Sequence, residues 1–184
     1  MSTTDNKTVI FPGVKDGDTF EVAGIEFIKF PGKDGMTPVV SKDILFRYSF
    51  GEDNDFRKSK ILKKLEEEHL PKIVEAVGPE NLCTIKTDLT TLDGLKNYGV
   101  MESLVSLPTL DFYRANAEIF DKYNPGTWWW LATADSTKPR HDPYWILCVS
   151  PSGDINYVND FNGGISGVRP FYIFKSSIFG SFEE

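Results

Sequence analysis

Thr127-Trp128-Trp129-Trp130-Leu131-Ala132-Thr133-Ala134 is the stretch on which the fold turns. Successive side chains of a strand point to opposite faces, so Trp128 and Trp130 share one side and Trp129 opposes them. An indole buries a large apolar surface and still needs a partner for its N–H. Three in a row therefore describe a strand packed on both faces, or one that crosses between layers. Trp128 and Trp130 are read as structural. Two readings of the run stay open: a core strand throughout, or a strand that presents one ring, Trp129, as an exposed ligand platform.

Working outward, Tyr144 to Val149 is an apolar strand, Ser150-Pro151-Ser152-Gly153-Asp154 a turn, and Ile155-Asn156-Tyr157-Val158 the return strand of a hairpin. The run 159–167 is too rich in Asn and Gly for regular structure, and Val168 to Phe174 is a closing strand entered through Pro170. At the front, Phe20 to Phe30 holds two short alternating runs broken by Ala23-Gly24. Ser59 to Val77 carries apolar residues at helical spacing, with Pro71 expected to break or kink the helix near His69. A second helix is expected from Pro108, and Cys83 to Asp88 is a candidate strand. These elements predict an α+β domain: a curled antiparallel sheet with two flanking helices.

The Trp-Trp-Leu strand, the aliphatic strand with its Ser/Gly turn, the Asn-Gly loop and the terminal Gly167-Val168-Arg169-Pro170 together resemble an uncharacterised family of gut Firmicutes and their phages. That family has a C-type-lectin-like fold, distantly similar to the formylglycine-generating enzymes and to the variable proteins of diversity-generating retroelements. The resemblance covers about Gly17 to Phe174. It implies that the N- and C-terminal strands pair, with Phe20 to Phe30 beside Val168 to Phe174.

The 184 residues, 40% hydrophobic and 14% aromatic, suffice for one core without disulfides. Residues 1–10 are expected to form a flexible segment and 11–184 a single domain. With no apolar run long enough for export or membrane insertion, a cytoplasmic or virion-associated location is expected, without a membrane partner. Cys83 and Cys148 are accordingly read as two reduced thiols. A net charge of −7 argues against general nucleic-acid binding, which needs clustered Lys and Arg. Acidic residues gather within 52–55 and 66–68. These are solvated surface on one reading, and on the other a patch steering toward a basic partner.

The two histidines, His69 and His141, are far apart in sequence and neither sits in a metal-spaced cluster. His69 is read as a helix C-terminal residue and His141 as a loop residue. The paired cysteines of the formylglycine-generating enzymes are not reproduced around Cys148, so no catalytic residue, metal or cofactor is assigned. Asn156, Asn159, Asp160 and Asn162 offer oxygen donors of the kind calcium takes, but the calcium motif of lectins of this fold is not reproduced and local turn bonding is the preferred reading. Arg169 is read as a structural crosslink to loop carbonyls or a carboxylate.

The expected contact surface comprises the loops 135–144 and 159–166, with Trp129, Tyr144, Tyr157, Asn159, Asp160, Phe161 and Asn162 as binding residues. A non-enzymatic protein-binding module is expected, an inhibitor of a host defence nuclease of the anti-CRISPR type engaging a basic nucleoprotein surface. The alternative is a receptor- or glycan-binding module for a bacterial surface ligand.

Overall fold

Two tight turns set the first sheet. Ala23 and Gly24 have φ of 52° and 77°, and Asp34 and Gly35 have 54° and 74°. Positive φ at both central positions gives the two-residue turn whose twist matches that of paired strands. The first turn joins β1 (Thr19–Val22) to β2 (Ile25–Lys29), with Val22 opposite Ile25. The second returns the chain as β3 (Met36–Ser41), antiparallel to β2. The closing strand β11 (Phe171–Lys175) adds to β3 with Tyr172 opposite Val39, giving the order β1, β2, β3, β11. The computed structural model describes residues 9–139, 145–159 and 166–180.

This order corrects the expected pairing of the first and last strands. Phe20 to Phe30 and the C-terminal strand do share a sheet, but β3 lies between them because the Asp34-Gly35 turn brings the chain back along β2. Residues 1–8 of the expected N-terminal segment lie outside the described residues. The amides of Ile10 and Phe11 both donate to the Ile178 carbonyl, which ties the front of the chain to a short 3-10 turn (Ser176–Phe179) after β11.

The second sheet is ordered β4, β10, β7, β8, β9. It contains β4 (Phe46–Arg47), β7 (Trp129–Ala134), β8 (Trp145–Val149), β9 (Ile155–Asn159) and β10 (Gly167–Val168). The expected hairpin is β8–β9, with Leu147 opposite Tyr157. The closing strand read as one run from Val168 to Phe174 is two strands. β10 belongs to the second sheet and β11 to the first, and the chain crosses between them at Arg169-Pro170. A smaller ribbon pairs β5 (Ile85–Asp88) with β6 (Val100–Ser103).

Each sheet contributes side chains to both apolar clusters. Phe20, Phe27, Tyr172 and Phe174 of the first sheet and Trp130, Ile146 and Cys148 of the second join one apolar cluster. Ile28, Phe30, Val40 and Phe171 join Trp129, Leu131, Leu147 and Val149 in the other. Trp130 and Trp129 therefore enter opposite cores, and Trp128 packs half-buried on the Trp130 side, as strand alternation requires.

Helices lie against both clusters. Ser59 caps α1 (Lys60–Lys64) by accepting the Leu62 amide at 3.0 Å, a contact worth about 1 kcal/mol. A wide π-helical turn (Leu65–His69) follows, and α2 (Leu70–Val77) begins with Pro71 in its first turn, where no N–H is required. Pro71 thus starts a new helix after the break near His69. Thr109 caps α3 (Leu110–Ala115), and Asn116 separates it from α4 (Ala117–Lys122). Together the elements make an α+β arrangement dominated by sheet. Among the described residues no helix is long and apolar enough to cross a membrane.

Candidate binding surface

The face of the second sheet that carries Trp129 also carries Val149, Leu147, Ile155 and Tyr157, because Trp129 pairs with Val149, Val149 with Ile155 and Leu147 with Tyr157. α3 and α4 cover the Trp129 end. Trp129 stacks on Phe120 with ring centroids 5.6 Å apart, meets Tyr113 edge-on at 5.8 Å, and is 1% exposed. It is interior, which corrects its reading as a surface anchor: its large ring fills the space under the helix pair. At β9 the cover has ended. Tyr157 is 51% exposed and Ile155 37% exposed, and Tyr157 meets half-buried Trp145 edge-on at 5.4 Å. Trp145, Ile155 and Tyr157 form an apolar strip at the margin of an otherwise covered face.

Among the described residues β9 is the last strand of its sheet. The Tyr157 amide donates to its neighbour's side chain, Asn156 Oδ1, at 2.9 Å. An added strand would have to displace that bond, so the side chains of β9 are more available to a partner than its backbone.

The strip adjoins the root of the loop that leaves β7. Asn54 is fully buried and its amide donates to the Ser136 carbonyl at 3.0 Å and the Trp145 carbonyl at 3.1 Å, while Tyr98 Oη donates to Asn54 Oδ1 at 2.6 Å. One side chain thereby clamps both ends of the loop. On the outer side Asp93 accepts from Thr91 Oγ1 and Ser136 Oγ and pairs with Lys138 at 3.2 Å. The Thr91 and Ser136 hydroxyls, with the Lys138 ammonium, hold the Asp93 carboxyl at about 2. Burial, with Asp55 and Asp53 nearby, pushes the Tyr98 phenol up to about 12, so it remains a donor. Sequence patterning missed this clamp, because Asn54, Asp93, Tyr98 and Ser136 meet only through tertiary packing.

The acidic run 52–55 is divided between interior and surface. Asn54 and Asp55 are buried, and Asp55 accepts from Arg57 Nε at 2.9 Å and Nη2 at 2.8 Å while capping the turn that follows. Glu52 in the same run is exposed and Asp53 half-buried. Glu66, Glu67 and Glu68 remain exposed, with Glu68 paired to Lys64.

His69 lies at the end of the π-helical turn, mid-segment and not at a helix C-terminus, stacked on Phe46 with centroids 5.2 Å apart. Burial lowers its pKa, with Lys72 adding to the effect. Cys83 and Cys148 are unbonded to each other, and burial raises the Cys148 thiol to about 12. Arg169 is buried, with Nε donating to the Ser41 carbonyl at 3.0 Å and Nη2 to the Lys42 carbonyl at 2.9 Å. Burial lowers its pKa to about 10, which leaves it charged at neutral pH.

Tyr144, Asp160, Phe161 and Asn162, and His141, lie outside the described residues. Asn159 ends β9 opposite Trp145. Of the expected surface, then, Tyr157 is placed on the exposed strip, and Trp145 and Ile155 join it. The β8–β9 register was the signal for both, since a turn closing at Val149 and Ile155 sets Trp145 diagonal to Tyr157. Among the described residues no three His, Cys, Asp or Glu side chains gather so as to hold a metal ion. Comparison with protein-family models, curated proteins and solved structures returned no match.

Proposed function

We propose that the protein is a non-enzymatic binding module that acts by occupying a macromolecular partner through the Trp145–Ile155–Tyr157 strip. The observation that carries this reading is Tyr157, half exposed at the centre of β9 and braced by Trp145. A braced aromatic offers large contact area at small entropic cost, as at the centres of protein interfaces. The buried Asn54 clamp supports the reading, because it fixes both ends of the neighbouring loop before a partner arrives.

With 27 acidic against 20 basic residues, the favoured partner is a basic protein surface. The resemblance in Trp-Trp-Leu and Gly-Val-Arg-Pro supports a C-type-lectin-like fold and a phage or prophage origin. Within that setting, an inhibitor of a host defence nuclease, of the anti-CRISPR type, fits an acidic chain meeting a basic nucleoprotein. A glycan-binding module for a bacterial surface ligand is the second reading, favoured by the same aromatic pair, since sugar rings stack on such side chains.

Salt dependence separates the two. Binding to a basic protein weakens steeply as ionic strength rises past the point where the Debye length falls below about 10 Å, whereas stacking on a neutral sugar is nearly indifferent to salt. Tyr157→Ala abolishes either kind of binding at unchanged melting temperature. Undiminished binding by that variant contradicts the reading.

A further inference from the structure

Among the described residues Arg169 is a buried charge with no carboxylate in ion-pair contact. The Arg169 guanidinium is fully buried and, among the described residues, donates to three carbonyls: Ser41 at 3.0 Å, Lys42 at 2.9 Å and Tyr123 at 3.5 Å. Its Nη1 is buried and has no acceptor among the described residues. The guanidinium carbon sits 4.6 Å from the centroid of the Trp129 ring and 5.7 Å from that of Phe120. Trp129 Nε1 is likewise buried with no acceptor among the described residues.

Two unanswered donor groups therefore sit on two side chains in contact. Among the described residues none of the ion pairs includes Arg169, and the carboxylate that acts on it, Asp43, is on an exposed residue. Carbonyl oxygens and ring faces ease the burial of a cation but bring no net charge, and buried charges are ordinarily paired. A buried water would answer the donors and leave the charge. A small anion answers both.

We propose that Arg169 Nη1 and Trp129 Nε1 hold a buried monovalent anion of halide size, chloride being the natural occupant, where the chain crosses between the two sheets. The anion binds the folded chain only, so it stabilises by mass action. It locks the Gly167–Pro170 crossing to the Trp129 strand, and it is a structural ligand independent of the contact strip on β9.

The test uses the full chain crystallised in sodium bromide, with chloride present in parallel thermal melts. The expected result is an anomalous bromide peak within hydrogen-bond reach of Arg169 Nη1 and Trp129 Nε1. In solution, raising chloride about 100-fold against gluconate at constant ionic strength raises Tm by about 3 °C, and Trp129→Phe, which removes one donor and keeps an aromatic ring, loses about half of that increment. A water, or no density, at that position in bromide crystals overturns the proposal, as does a wild-type Tm indifferent to chloride. The bromide experiment needs no variant, so it reads the proposal even where Arg169 substitutions do not fold.

Discussion

Trp129 and Tyr157 point to the same side of one sheet, yet one is core and the other surface. The difference is what lies above them: Phe120 and Tyr113 cover Trp129, and nothing among the described residues covers the Tyr157 ring to that extent. Their substitutions should separate cleanly. Trp129→Ala leaves a large cavity and costs about 3–5 kcal/mol in urea unfolding, whereas Tyr157→Ala stays within about 0.5 kcal/mol. Arg169→Ala orphans the Ser41 and Lys42 carbonyls and opens a cavity, and should cost about 3 kcal/mol and lower Tm. The thiols give a further check. Cys148 is buried with its pKa raised to about 12, so a thiol reagent should leave it untouched in the native protein and modify it only after unfolding. Cys83, half-buried and also raised by burial, should react slowly.

At the scale of elements, Gly167 shows why the Gly-Val-Arg-Pro segment has its composition. A Cβ there would lie 2.4 Å from the Ile44 side chain, so the close approach of β10 to the strand entry at Ile44 requires glycine. Gly167→Ala should cost about 1–3 kcal/mol, and Ile44→Ala in the same chain should return part of it; chemical denaturation of the three variants measures this. The loop root gives a pH prediction. The Asp93 carboxyl is lowered to about 2 from 3.8, so its contribution is complete above its unfolded pKa of about 4 and is lost as pH falls toward about 2. Trp145 fluorescence, which reports the clamped loop end, should change in that window, and in Asp93→Asn it should not follow the same titration.

Several elements were legible from local pattern. Strand alternation placed Trp128 and Trp130 opposite Trp129, and the Ser-Pro-Ser-Gly-Asp turn fixed the β8–β9 hairpin. Asp34-Gly35 was an equally good turn signal, and reading it would have supplied β3 and prevented the direct pairing of first and last strands. The split of the closing strand had one local signal, Pro170, which cannot donate to a ladder; which sheet each half joins is set by tertiary partners alone. The Asn54 clamp was hidden for the same reason, since a polar residue in an acidic loop looks solvated until its tertiary partners are known.

For the whole molecule, the strip on β9 carries an aromatic pair whose tyrosine is the most exposed of the large aromatic side chains among the described residues. On the proposed reading, the net charge of −7 favours a basic partner without naming it. The most direct measurement is a paired affinity capture from a gut Firmicute lysate at low and high salt, using the tagged wild type and an Ile155→Ser, Tyr157→Ala double variant of matched Tm. The account predicts a basic protein retained by the wild type, released by salt and absent from the variant. The same protein held equally by both chains would contradict it.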